Sequence, residues 1–193
     1  MTGISTKIVD FFVREKIIEK EDYEIYLYGL EVLAENMGMT LAFLLMGIVI
    51  GRGWETGIYL SVFCGLRRYC GGYHAKTKRG CHCASFLTYM AFLFGCEVIG
   101  KIDTVFGGWA LGLYIFCFLA IWRLAPVEHP NKPLTDVDRK RNRKKSLVGT
   151  ILLGCLMILM NQKLPKVSFA ILVTLIDVAL LMIIGRRENN KKA

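Results

Sequence analysis

Apolar residues in this chain fall into six long blocks separated by polar, mostly basic connections: residues 23–50, 54–69, 82–100, 104–122, 147–161 and 164–184. No other feature narrows the fold as far. A run of that length has no polar face to turn to water, and a bilayer requires the backbone to satisfy its own hydrogen bonds, which a spanning helix does. The chain has 193 residues, 54% of them hydrophobic, and a mean hydropathy of +0.42, yet its formal net charge is +9. Apolar runs and basic charge kept in separate blocks predict an all-α polytopic membrane protein with about six transmembrane helices. A nucleic-acid-binding domain is also basic but carries no such runs, so no nucleic-acid partner is expected. Membrane lipids are.

Residues 1–22 are too rich in alternating acids and bases for a cleavable signal peptide. Ile4, Ile8, Phe11 and Phe12 recur there at helical spacing, which predicts an amphipathic helix lying in the membrane interface. Residues 23–50 read as one helix spanning about 42 Å at about 1.5 Å per residue, longer than a hydrocarbon core. Its acidic first half, with Glu24, Glu31 and Glu35, is therefore expected at a boundary. Block 54–69 is short for a span. The chain as a whole, 1–193, reads as one integral-membrane domain.

Basic residues orient the blocks. If six spans place both termini on one side, 21 of the 25 Lys and Arg fall on that side and only Arg52, Lys101, Lys163 and Lys166 on the other. The positive-inside rule makes the rich side cytoplasmic. Connections 67–81 and 123–146 then both face the cytoplasm, where thiols stay reduced. Seven cysteines are present; Cys64, Cys96, Cys117 and Cys155 sit inside apolar blocks and read as small hydrophobes, with no disulfide framework. Two acids, Glu97 and Asp177, also lie in apolar blocks. Glu97 is near a helix end and water; Asp177 is deeper and is expected to pair with a basic group or to face a second copy of the chain.

The stretch Arg67 to Ser85, R-R-Y-C-G-G-Y-H-A-K-T-K-R-G-C-H-C-A-S, holds the chemistry. It brings a histidine, several thiols, paired glycines and five basic residues into one connection. Glycines 71, 72 and 80 interrupt helix, so a loop carrying His74 followed by a helix starting near Cys81 is the expected local structure. The thiolate is the nucleophilic form of a thiol, and helix N-termini and cationic neighbours stabilise thiolates. His74 is placed to take the proton of Cys81 and return it to a leaving amine. Gly71 and Gly72 leave room for backbone N–H groups at an oxyanion. On the residues alone, a basic loop with incidental thiols is an equal reading. So many sulfur and imidazole groups also allow a zinc site from Cys70, His74, Cys81, His82 and Cys83, although the spacing is not a standard pair. A non-enzymatic transporter or scaffold is the third reading.

R-R-Y-C-G-G-Y-H-A, followed after five residues by Cys81, resembles the accessory gene regulator B (AgrB) family of membrane cysteine endopeptidases, which process quorum-sensing peptide precursors. A-P-V-E-H-P-N-K-P-L, Ala125 to Leu134, is similar to that family's connection between two membrane helices, and Y-G-L-E-V-L-A-E-N to its first hydrophobic helix. The resemblance implies that His74 and Cys81 are catalytic and that Glu31, Arg67, Gly71 and Gly72 support the site. It implies cleavage of a short amphipathic precursor peptide with an acidic C-terminal tail (AgrD-like) through a Cys81 thioester, followed by thiolactone or lactone closure. No cofactor or metal is implied. A homodimer is.

Overall fold

The computed structural model describes residues 3–73, 75, 77–100, 108–128 and 134–190. Among the described residues the chain is helical throughout: α1 (Gly3–Arg14), a single 3-10 turn at Lys20–Asp22, α2 (Tyr23–Val49), α3 (Gly53–Cys70), α4 (Lys78–Gly100), α5 (Gly108–Leu124), α6 (Asp136–Asn161) and α7 (Pro165–Asn190). The fold is the all-α membrane architecture expected, an amphipathic first helix followed by six helices. Four stretches are long and apolar enough to cross a membrane: Lys20–Val49, Arg79–Val98, Asp136–Asn161 and Pro165–Asn190; α5 is a shorter apolar helix.

Helix α7 is the axis. It is apolar on every side, as only a helix surrounded by other helices can be, and α3, α4, α5 and α6 all pack on it. Its core partners include Leu66 and Cys70 of α3, Cys117 and Ile121 of α5 and Met157 of α6. Helix α2 lies outside against α3, and their shared cluster stacks Phe43, Tyr59, Tyr89 and Phe92. Buried hydroxyls do not stay unpaired in this interior: Ser168 Oγ donates to Met157 O at 2.7 Å and Thr174 Oγ1 to Ala170 O at 2.6 Å. Outward-facing residues of α2 such as Leu41, Leu45 and Ile48 are exposed, the surface a lipid chain would cover.

Helix α1 packs beside the start of α2 through Val9, Ile18 and Leu27, with Tyr23 donating to Asp10 at 3.1 Å. Ile4, Ile8 and Phe11 point outward from the protein, as an interfacial helix requires. From α2 onward the helices alternate in direction. The turn Ile50–Arg52 and the α6–α7 turn therefore lie at one end. The α3–α4 connection, the start of α6, the end of α7 and helix α1 lie at the other.

Two connections are shorter than their sequence reading. Helix takes up much of 67–81, because α3 runs on to Cys70 and α4 begins at Lys78. The basic stretch within 123–146 is helix, not loop, from Asp136 onward. Thr135 caps it, its Oγ1 accepting the Asp138 N–H at 3.1 Å, and the Lys and Arg that follow are good helix formers. The span read as 147–161 is thus the second part of a helix of 26 residues.

Candidate active site

The end of α3 and the start of α4 are held by backbone, and glycine is what allows it. Gly71 has φ +70°, a conformation unfavourable for residues with a Cβ, and a Cβ there would run into the Val127 carbonyl. The two strings A-P-V and C-G-G, far apart in sequence, meet at this point. Val127 N–H donates to Cys70 O at 2.8 Å, and Gly71 pairs with Val127 in a single parallel bridge. One residue on, Tyr73 N–H donates to Leu181 O of α7 at 2.9 Å. A Cβ on Gly185, one turn further along α7, would come within 2.7 Å of Tyr73 N. Chain 71–73 is therefore strapped between the α5–α6 connection and the central helix. It leads directly into His74, which lies outside the described residues, as does Lys76.

The strap ends at α4. Thr77 caps that helix, its Oγ1 accepting the Gly80 N–H at 3.1 Å and its carbonyl accepting the Cys81 N–H at 3.0 Å. Cys81 thus sits on the first turn, half-buried. Arg67 reaches over from α3. Its guanidinium lies over the Phe63 ring at 5.5 Å, donates to the Tyr73 carbonyl, and is near enough to Cys81 for the two charges to interact. Among the described residues no carboxylate pairs with Arg67. Gly72 makes space for it, since a Cβ there would stand 3.0 Å from Nη1. A cation held in place near this helix start is positioned to stabilise an oxyanion that forms there.

Glu31 is on α2. Glu31, Glu35 and Met39 form one i, i+4 stripe, and Met39 meets His82 and Cys83 of α4 across an open groove of about 470 Å³. Two turns of helix, about 12 Å, separate Met39 from Glu31, toward the start of α2. The Glu31 Oε1 is buried without a hydrogen-bond partner among the described residues. Gly71 does not offer its N–H, which donates to Arg67 O at 3.0 Å. Cys83 is exposed on the groove side of α4 rather than sunk in the core, because two residues turn the helix by about 200° from Cys81.

A family profile described as Accessory gene regulator B matches residues 5–184. The chain belongs to the AgrB family. AgrB-like protein 2 of Clostridium perfringens strain 13 is 28% identical over 151 residues, covering 75% of this chain and 70% of the relative. An AgrB-like protein of Listeria innocua is 28% identical over 144 residues, 69% of this chain and 66% of that one. No solved structure matches. Membership puts the chain in peptide processing for a quorum-sensing, accessory gene regulator system.

For this AgrB-family chain the structure adds Tyr73, Thr77, Val127 and Leu181 to the residues that shape the site. Thr77 was legible as a cap, a threonine just ahead of a helix. Val127 and Leu181 act through backbone, which leaves no trace in side-chain pattern. Among the described residues no three His, Cys, Asp or Glu side chains gather as metal ligands; Cys70 is fully buried on α3, while His82 and Cys83 face outward.

Proposed function

We propose that this single-domain membrane protein is a cysteine endopeptidase of which Cys81 is the nucleophile and His74 the proton carrier. The observation that carries the reading is the place of Cys81: half-buried on the first turn of α4, beside the Arg67 guanidinium, four residues past the strap that delivers His74. Cys81 thiolate attacks the scissile carbonyl of a short amphipathic precursor peptide. The tetrahedral oxyanion collapses, the C–N bond breaks, and His74 gives its proton to the leaving amine. The released piece is the acidic tail; the rest is a thioester on Cys81. A cysteine thiol or serine hydroxyl within the peptide attacks that thioester, closing the thiolactone or lactone and freeing Cys81. Arg67 steadies the negative charge at each tetrahedral stage. Glu31, one of whose carboxylate oxygens is buried, orients His74 through a hydrogen bond.

Charge supports the partner. Around the start of α6, Arg139 already pairs with Glu128 and Asp136, and Arg141 with Asp138. Lys140 and Lys144, four residues apart on one face, make no ion pair among the described residues and are among the cations left for an acidic tail. Lys145 lies 4.9 Å from the Tyr69 ring, tying that face to the end of α3 beside the site. The basic end, which also carries both termini, faces the cytoplasm by the positive-inside rule, and the protein works as a homodimer.

Substitution separates the thiols. Cys81→Ala removes precursor cleavage, a loss of about a thousandfold or more, and Cys81→Ser is nearly as poor because a hydroxyl ionises far less readily. Cys83→Ala retains most of the activity. Normal processing by Cys81→Ala, in membranes containing the precursor, contradicts the assignment.

A further inference from the structure

Charge also gathers at the end of the bundle opposite Cys81. A cavity of about 330 Å³ opens there, where the end of α2, the start of α3, the end of α4 and the start of α7 converge; Ile50, Arg52, Glu55, Glu97, Lys166 and Phe169 are in its walls. Glu97 pairs with Arg52, which ties the end of α4 to the α2–α3 turn. Glu55 and Lys166 form no ion pair among the described residues. The cavity therefore presents one carboxylate and one ammonium that these residues leave without a counter-charge. Asp177, the other acid within an apolar block, takes no part: it is 5% exposed, too little to face a second copy, and no basic partner meets it among the described residues.

The walls are fixed by backbone. Arg52 N–H donates to Gly47 O at 2.7 Å, and Arg52 O accepts the Thr56 N–H at 3.0 Å and the Thr56 hydroxyl at 2.8 Å. A Cβ on Gly47 would run into Thr56, so α2 and α3 lie directly against each other beneath the turn. Between α2 and α4 stand the stacked rings of Phe43 and Tyr89, with centroids 4.8 Å apart, and beyond that stack the cavity separates the two helix ends. Ile50, Glu97 and Lys166 are exposed, so the cavity opens outward, while Phe169 is buried at its inner wall. Trp54, on the first turn of α3 between Arg52 and Glu55, is 70% exposed. Exposed tryptophan at the edge of a membrane protein belongs to the headgroup layer. The cavity is thus at the depth of lipid headgroups.

We propose that this cavity binds the headgroup of an aminophospholipid, a phosphodiester and a primary ammonium on one short chain, as in phosphatidylethanolamine. Lys166 and the Arg52 N–H groups not used on Glu97 take the phosphate, and Glu55 takes the ammonium. A ligand of one charge does not fit: a lone anion satisfies Lys166 but leaves Glu55 facing it, and a lone cation does the reverse. Two opposite charges a few bonds apart satisfy both. A choline headgroup carries the same charges but has no N–H to donate to Glu55, and a glycerol headgroup has no cation. The volume, about eleven waters at about 30 Å³ each, is room for phosphoethanolamine. Ile50 meets the glyceryl esters, and the exposed Val49 and Ile48 continue an apolar path along α2 into the bilayer. The site does not depend on the Cys81 chemistry.

The test is native mass spectrometry of the full-length protein in detergent, with equal amounts of dioleoyl phosphatidylethanolamine, phosphatidylcholine and phosphatidylglycerol added in competition. Phosphatidylethanolamine is retained about tenfold over each of the others, the worth of one charge-assisted hydrogen bond. Glu55→Gln removes the preference over phosphatidylcholine, and Lys166→Gln weakens retention of both lipids. Neither side chain is buried, and an unchanged melting temperature shows that each variant keeps its fold. Displacement of the lipid by excess free phosphoethanolamine assigns the headgroup alone as a sufficient ligand; no displacement assigns the intact lipid. In liposomes, a phosphatidylethanolamine carrying a diazirine near its ester crosslinks to residues 50–55 or to Cys96. Equal retention of the three lipids, a preference for phosphatidylcholine or phosphatidylglycerol, or a phosphatidylethanolamine preference unchanged in both variants overturns the site.

Discussion

Glu31 and Arg67 carry opposite charges and form no ion pair with each other among the described residues, and the proposed two-step acyl transfer gives each a separate task at the scale of single residues. Arg67 is fixed by Phe63 and the Tyr73 carbonyl, so in the proposed mechanism its charge needs no reorganisation to meet an oxyanion at Cys81. Glu31 has an acceptor oxygen free in a buried position. If that oxygen orients His74, then Glu31→Gln keeps a hydrogen-bonding side chain and loses the charge. Precursor cleavage then slows by about 10- to 100-fold, the worth of one charge-assisted hydrogen bond, and Glu31→Ala slows it further. Both variants cleaving at the wild-type rate, at matched membrane levels, would remove Glu31 from the site.

At the scale of elements, the connection between α5 and α6 and the ends of α3 and α7 form one knot. Glu128 is its polar centre. It accepts two bonds from Arg139, at 2.5 and 3.2 Å, its carbonyl accepts Asn189 Nδ2 at 2.6 Å, and its neighbour Val127 pairs with Gly71. Hydrogen bonding from Arg139 holds the Glu128 carboxyl below its ordinary range, outweighing the opposite effect of partial burial. A carboxyl lowered on folding stabilises above its unfolded pKa, and that contribution fades as pH falls through the lower folded value. Thermal unfolding in detergent between about pH 5 and about pH 3 should therefore cost the wild type more stability than Arg139→Ala, which has no such bond to lose. Parallel pH curves for the two proteins would exclude the tie. Little of this knot was legible in sequence. Hydropathy located the long apolar helices, glycine punctuation marked the strap, and the A-P-V string was singled out only by resemblance. What hydropathy could not show is that Val127 and Leu181 hold the strap through N–H and C=O groups, which every residue type carries. It also misjudged Arg139–Lys145 as loop, since charge marks a membrane boundary whether the backbone there is coiled or helical.

For the whole molecule the decisive asymmetry is between two ends. One carries the strap, Cys81, the basic start of α6 and both termini; the other carries the Arg52–Glu97 pair and Lys166. The proposed orientation, from the excess of Lys and Arg, puts the first end in the cytoplasm. Single cysteines introduced at Lys76 and Lys140, in a background without native thiols, then resist an impermeant maleimide in intact cells and react after permeabilisation. Labelling of both in intact cells at the rate of an extracellular control would reverse the orientation and move the site to the other face of the membrane.

The central claim is that Cys81 carries the peptide as a thioester. Incubating the membrane-embedded protein with a precursor whose internal cysteine or serine is replaced by alanine blocks ring closure and lets the intermediate accumulate. Mass spectrometry of the digested protein should then find the peptide's N-terminal part joined to the fragment containing Cys81, removable by hydroxylamine and absent in Cys81→Ala. An adduct confined to Cys83, or cleavage of the precursor with no thioester on either cysteine, would contradict the account.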